Sequence, residues 1–240
     1  MSDLQLKPEI TSLIGGLGMT RVTVYEDTQA PDGKHSGCPH LHAISSEAYY
    51  VLHGKGEVEL HSLNEGFRTE ALKPGQYLQF PSNTLHRIIS HGGLVVLGLM
   101  SNAGLAENGD ARIYFGEAAD NDQKKYTRNN SLVKLGLEGA LQRRDIAVRA
   151  YLNLLDLWQN NREAYFEDLK RFINTHRHAV HQQKSKLEPY IDNGPSSWAQ
   201  RTRELLDNPE SHPMDTVIKD NEHTDPLLGM CGTLQPIRTT

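Results

Sequence analysis

The sequence predicts a mainly β fold, a jelly-roll barrel followed by a C-terminal α-helical extension. Three patterns predict it. Short apolar runs punctuated by glycine and proline recur from Thr20 to Met100. An apolar stripe at helical spacing begins near Leu141. Beyond Asn208, prolines and acids replace any periodicity. Short strands at regular spacing with turn residues between them imply a sandwich or barrel. Eight of them suit a jelly roll wide enough to enclose one small ligand.

The elements divide the chain into an N-terminal arm (1–19), a barrel (20–116), a helical extension (117–207) and an extended tail (208–240). In the arm, Ile10, Leu13 and Ile14 precede Gly15, Gly16 and Gly18, which reads as a short helix or arm and a flexible turn. Strands are expected at 21–25, 41–44, 48–52, 57–60, 67–72, 77–80, 85–89 and 94–100, with a last one at 112–115. Gly54, Gly56, Pro74, Gly75, Pro81, Gly92 and Gly93 supply the turns.

The period then changes. Leu141, Val148, Leu152 and Leu155 recur at heptad-like spacing, with Ile146, Ala150, Leu154 and Leu157 widening the face. After Asn160 and Asn161, a second stripe runs through Tyr165, Phe166, Leu169, Phe172, Ile173, His176 and Val180, with Pro189 ending that helix. A shorter helix over 198–206 follows Gly194 and Pro195. The two long helices are expected to pair and to pack on the barrel or on another copy of the chain, which leaves room for a homodimer. Trp158, Phe166 and Phe172 read as packing residues. His176 continues the apolar stripe, while His178 and His181 read as a solvated face without the further ligands a metal needs. The tail, with Pro209, Pro213, Pro226 and Pro236, reads as coil ordered only by docking.

The chemistry is concentrated at His40, His42, Glu47 and His86. In a strand, residues two apart share a face, so His40 and His42 project together. Glu47 opens the next apolar run and His86 lies in a distant strand. Four such ligands on three neighbouring strands would make a pocket for a borderline divalent metal inside a curved sheet.

These residues make the chain resemble the cupin superfamily. His40, His42, Glu47 and Gly54 match its first motif, although Gly33 and Gly37 both miss the position of the leading glycine. Gly75, Pro81, Asn83, His86 and Ser90 follow its second motif. Asn83 stands where the family has a turn glycine, and Asn is the residue that best tolerates left-handed backbone after glycine. Ser90 replaces a residue that does not bind the metal. The resemblance covers roughly residues 20–100. It implies a cupin double-stranded β-helix with one divalent ion held by His40, His42, Glu47 and His86. Iron(II) is the first expectation, with nickel, manganese or zinc the alternatives. Cupins that bind ligands without a metal are the competing reading.

The 240-residue chain carries a net charge of −5, which argues against broad nucleic-acid or anionic-membrane binding. No apolar run approaches the ~18 residues of a membrane span, and no basic stretch with an apolar core opens the chain, so a soluble cytoplasmic protein is expected. Two cysteines, Cys38 and Cys231, make no disulfide framework. Cys38 lies near His40 but reads as a free buried thiol.

Alternation from Glu47 places Tyr49, Val51 and His53 inward, with His53 at the barrel end and Tyr50 and Leu52 outside. Thr84 and Ile88 point inward with His86, and Arg87 outward. Tyr49 is the candidate catalytic residue, a phenol able to orient a bound oxygen or pass a proton; a core tyrosine bonded to a backbone carbonyl is the alternative. Ile44, Val51 and Ile88 are expected to exclude water. No inward arginine or lysine offers an anchor for phosphate or carboxylate. Three imidazoles and a carboxylate leave two adjacent positions on an octahedral ion, as a chelating substrate and dioxygen require. The expected function is therefore a non-haem iron oxygenase, a dioxygenase, acting on a small organic substrate. A redox-neutral isomerase or lyase and a non-catalytic small-molecule binder are the alternatives.

Overall fold

The computed structural model describes residues 13–210 and 225–237. Ile10 and Pro213 lie outside them. Two antiparallel six-stranded sheets face each other as a jelly roll. The strands are β1 (Gly18–Val24), β2 (His35–Ser36), β3 (His40–His42), β4 (Glu47–His53), β5 (Gly56–Ser62), β6 (Gly66–Leu72), β7 (Tyr77–Phe80), β8 (Leu85–Ser90), β9 (Val95–Met100) and β10 (Ala111–Ile113). Two more, β11 (Leu227–Leu228) and β12 (Gly232–Ile237), come from the C-terminal segment. One sheet runs β11-β12-β1-β9-β4-β7 and the other β10-β3-β8-β5-β6, with β2 pairing with β8. Val22, Val51, Val58, Leu60, Phe80, Ile88 and Val96 fill the space between them.

The eight barrel strands fall where alternation and turn residues place them, within a few residues at each end. Two turn positions show why. Asn83 has φ 63°, the left-handed conformation its place in the motif requires, and its backbone N–H donates to the His42 carbonyl. Gly54 has φ 73°, and a Cβ there would sit 2.2 Å from the Gly93 carbonyl oxygen, so only glycine fits.

Helices follow: α1 (Glu117–Asp120), α2 (Gln123–Asn130), α3 (Gly136–Asn160), α4 (Arg162–His181), α5 (Lys184–Ile191) and α6 (Ser197–Asp207). Among the described residues helix takes 44% against 28% for strand, so "mainly β" describes the barrel and not the residue count. The break at Asn161 is an N-cap, its side chain accepting from the Ala164 N–H at 3.2 Å. Helix α3 buries Val148 and Leu154 of the expected stripe, but the rest of its buried face differs. Ala140, Arg143, Arg144, Ala147, Val148, Tyr151 and Leu154 are buried, whereas Leu141, Leu152 and Leu155 are only half-buried. Two arginines and small alanines hid that face from an apolar count. Helix α4 buries the expected stripe from Tyr165 to Val180, and His178 and His181 are exposed. It ends at His181 and not at Pro189, which α5 carries internally.

Helices α3 and α4 lie on the outer face of the second sheet. Leu41 and Leu85 from β3 and β8 pack there with Tyr151, Leu154, Tyr165, Leu169, Phe172 and Ile173. The central strands β3, β5 and β8 are consequently buried on both faces over most of their length, β8 at all six positions, whereas edge strand β6 is largely exposed. The C-terminal segment, expected as coil, adds a strand: β12 pairs antiparallel with β1 from Met19 opposite Ile237 to Val24 opposite Gly232.

Candidate metal centre

The side chains of His40, His42, Glu47 and His86 meet inside the barrel, with one ligand atom from each lying within 4.8 Å of the others. All four residues are buried. The pairing of β3 with β8 sets His40 directly opposite His86. Glu47 comes from β4, in the facing sheet. The expectation of three neighbouring strands is therefore corrected, because the quartet bridges the barrel from both sheets.

Their hydrogen bonds decide where the lone pairs point. His40 Nδ1 bonds to the Cys38 carbonyl at 2.9 Å, and His86 Nδ1 to the Thr84 carbonyl at 3.0 Å. A carbonyl can only accept, so each Nδ1 carries a proton, and in the neutral ring Nε2 is the acceptor. The two Nε2 atoms face each other at 3.1 Å. Glu47 Oε2 lies 3.1 Å from His86 Nε2 and 3.3 Å from His42 Nε2. His42 Nδ1 faces the Asp110 carboxylate at 3.4 Å. Glu47 Oε2, buried, has no hydrogen-bond donor.

Acceptors crowded together in a buried space repel unless a cation lies among them. Nitrogen and oxygen ligands about 2.1 Å from one ion stand roughly 3.0–3.4 Å apart when adjacent, which matches the separations here. The residues thus fit a divalent ion. Burial opposes ionisation of His42, but hydrogen bonding and charge from Asp110 and Glu47 override it and raise its pKa to about 9. Burial, and then the neighbouring His86 and His42, push His40 well below its ordinary value. Burial also works against ionised Glu47, yet the histidines hold its carboxyl well below the usual range.

Tyr49 points inward beside the quartet, fully buried, and its ring packs against Phe80 at 5.4 Å. Its hydroxyl closes no hydrogen bond. Burial, then the Glu47 carboxylate and Cys231, push its pKa well above the ordinary phenol value. Val51 and Ile88 are buried in the barrel core as expected. Ile44 is not: it is 45% exposed, because the chain leaves β3 at Ala43 and turns outward, its N–H donating to Asp110 Oδ1 at 2.7 Å. His53 is exposed at the barrel end, bonded to the Gly93 carbonyl. Cys38 is buried away from the quartet, against Ile113, Phe115 and Tyr126.

Two residues escaped the sequence reading. Asp110, beside β10, braces His42 and accepts from the Ile44 and Ser45 N–H groups; no motif position marks it. Cys231, far down the chain, places its sulfur 3.5 Å from His40 Nε2. A cavity of about 740 Å3 lies elsewhere, lined by Leu17, Met100, Asn102, Lys186 and Tyr190 among others, and none of the quartet borders it.

The facing sheets enclose a His/Glu quartet that could hold a metal ion. Residues 27–100 match the family model described as the cupin domain. No curated protein matches the chain. Similar solved structures include a cysteine peptidase, Peruvianin-I, from Thevetia peruviana latex, at 16% identity and a TM-score of 0.33 over 41% of this chain and 55% of that one. The formate complex of oxalate decarboxylase from Lactobacillus farciminis matches at 19% identity and 0.35, over 42% and 27%. QdtA, a sugar 3,4-ketoisomerase from Thermoanaerobacterium thermosaccharolyticum in complex with TDP, matches at 15% and 0.32, over 39% and 63%. In each case the chain spans less than two-thirds of the neighbour.

Proposed function

We propose that the protein is a metal-dependent enzyme that oxidises a small organic molecule with dioxygen. His40, His42, Glu47 and His86 would hold the ion, iron(II) first, with nickel, manganese or zinc the alternatives. The observation that carries this reading is the convergence of three imidazole nitrogens and one carboxylate in a buried, otherwise apolar space. A divalent ion bound there supplies Lewis acidity and, as iron(II), activation of dioxygen toward a substrate coordinated through oxygen.

The chain's own groups do the rest. The Cys38 and Thr84 carbonyls lock two histidine rings, and Asp110 braces the third. Val51, Ile88 and Phe80 keep bulk water from the centre. Tyr49 offers the free hydroxyl, able to orient an oxygen of the substrate or to hand it a proton. That same hydroxyl, beside Glu47, favours a second reading, redox-neutral isomerisation or elimination with Tyr49 as the acid. Barrel and helical extension act as one unit in either reading.

Anaerobic purification, metal analysis and an oxygen-uptake screen over small organic acids, phenols and ketones test the proposal. One iron per chain and substrate-triggered oxygen consumption are expected. Turnover that is unchanged without oxygen would select the second reading. A chain that binds no divalent ion would defeat both and leave a small-molecule binder.

A further inference from the structure

The two sheets differ in what covers them. Helices α3 and α4 pack on the outer face of the second sheet. The outer face of the first is open at its centre, where Tyr50 is 41%, Leu52 44% and Tyr77 57% exposed. Its sequence does not suit water. An antiparallel sheet solvated on one side alternates apolar and polar residues. β9 does not alternate, since no polar side chain interrupts the run from Leu94 to Met100. β4 reads Ala48, Tyr49, Tyr50, Val51, Leu52, with no charge before His53. Continuous runs of this kind belong to strands buried on both faces.

Strand register gathers the outward side chains into one patch. Tyr50 stands opposite Leu97 on one side and Tyr77 on the other, and Ala48 stands opposite Leu99. Across β9, Leu99 meets Met19 and Leu97 meets Arg21. Polar groups lie toward the margins and are paired with each other. Arg21 Nη1 donates to Gln235 Oε1 at 2.7 Å, and the Tyr77 hydroxyl to Gln79 Oε1 at 2.6 Å. An apolar centre within a polar rim is the anatomy of a protein interface. The strands β12, β1, β9, β4 and β7, about 4.8 Å apart and about 20 Å long, span a plan area of roughly 500 Å2. Side-chain relief brings the accessible area of such a face to the order of the about 800 Å2 that each partner gives to a stable interface.

We propose that the outer face of the first sheet, centred on Tyr50 and Leu97, packs sheet on sheet against the same face of a second copy of this chain. A flat apolar patch is complementary to itself across a two-fold axis. The face carries no acid, and its one charge, Arg21, is already bonded to Gln235. It therefore holds no charge pattern that would select a different partner of opposite sign. Each chain bears a net charge of −5, and an acid-free face lets two of them meet without opposing carboxylates at the contact. The helices, for which a second copy was one expected partner, are taken up by the barrel, and the copy takes the opposite side. In the dimer β4, which turns Glu47 and Tyr49 inward, is backed by the partner. The interface does not depend on the quartet holding an ion.

Sedimentation velocity of the full-length chain, from about 1 to about 100 μM, tests the proposal across the range of ordinary dimer affinities. Wild type is expected at twice the 26.9 kDa of one chain. Tyr50→Glu and Leu97→Glu each put a charge into the apolar contact and are expected to weaken association about 100-fold or more, with unchanged far-ultraviolet circular dichroism. Leu206→Glu, at an apolar side chain 81% exposed on α6, is the control and is expected to associate like wild type. Wild type that remains a single chain at the highest concentration overturns the proposal and leaves the face to a different partner. An assembly that survives both Tyr50→Glu and Leu97→Glu also overturns it, as does an equal loss in Leu206→Glu. Should one of the two variants fail to fold, the other decides together with the wild-type mass.

Discussion

His86 and Arg87 are adjacent on β8 and face opposite ways, one into the metal centre and the other into the interface with the helices. The Arg87 guanidinium is completely buried. It donates to both oxygens of Asp32, at 2.7 and 3.0 Å, and to the Ser36 hydroxyl. It also lies 3.6 Å from Glu59 and over the Tyr151 ring. A single strand thus couples the candidate site to the extension. Burial of β8 on both faces explains why its outward side chains needed charged partners.

Removing the guanidinium strands the half-buried Asp32 without its counter-charge, whereas Glu59 keeps Lys34 Nζ at 2.8 Å. Arg87→Met should therefore lose about 3–5 kcal/mol of stability in urea unfolding, the usual cost of breaking a buried pair from one side. A loss below about 1 kcal/mol would show that the pair is solvated and not a buried anchor.

His61 bridges the same interface. Its Nδ1 bonds to the Tyr165 hydroxyl at 2.9 Å and its Nε2 to the Tyr151 hydroxyl at 2.6 Å, so one tyrosine donates and the other accepts. Burial lowers its pKa to about 3. A depressed histidine pKa means the unfolded chain takes up a proton the native one refuses, so its contribution is present above about pH 6.5 and lost as pH falls toward 3. His61→Leu should cost about 2–4 kcal/mol at pH 7 by leaving two buried hydroxyls unpaired. Its deficit should shrink on acidification, and chemical denaturation at pH 7.5 and 4.5 measures this. A deficit that grows toward acid pH would refute the assignment.

The barrel was legible because alternation, turn glycines and the spacing of His40, His42, Glu47 and His86 are local signals. What sequence did not reveal depends on distant partners. The buried face of α3 carries Arg143 and Arg144, which make sense only against Gly229, Thr28 and Gln29. Arg87 reads only as outward-facing, and its burial beside Glu59 follows from the helices that cover it. Cys231 stands 184 residues from Glu47 in number (231 − 47) and nothing nearby marks it as a neighbour of the quartet. Asp110 likewise becomes visible only when β10 pairs with β3.

Asp120 supplies a pH signature of opposite sign. Its Oδ1 accepts from the Phe115 N–H, but Oδ2 has no hydrogen bond and the nearest cation, Arg171, is 3.9 Å away. Burial raises its pKa to about 7. A raised carboxyl pKa adds stability below the unfolded value near 4, and this is lost as pH rises through 7. Asp120→Asn, which keeps the bond from Phe115, should match wild type near pH 4 and melt higher at pH 8. Melting curves that run parallel across this range would contradict the buried, protonated carboxyl.

Trp158, Tyr165, Phe172 and Leu169 meet Leu41 and Leu85 across the interface. Separated from the sheet, the helices would expose this surface to water, beyond what a lone hairpin can hide. A fragment spanning 131–206 is expected not to melt cooperatively, and Phe172→Ala in the full chain should cost about 3–5 kcal/mol. Recovery of a soluble fragment with a sharp thermal transition would make the extension an independent domain.

Tyr49 separates the two readings of the centre. Its ring is held by Phe80 and its hydroxyl lies beside Glu47 without a hydrogen bond, so Tyr49→Phe removes one polar atom and leaves the packing. If the reaction moves a proton through that hydroxyl, kcat should fall about 10²-fold or more while the bound metal stays at one per chain. If the reaction is oxidation by dioxygen at a coordinated substrate, the loss should be smaller and should appear mainly in KM, because the phenol then orients substrate in ground and transition states alike. Anaerobic and aerobic turnover of the same variant, measured beside metal content, reads both effects at once. A Tyr49→Phe variant indistinguishable from wild type in kcat and KM would remove Tyr49 from the chemistry and leave it a core tyrosine.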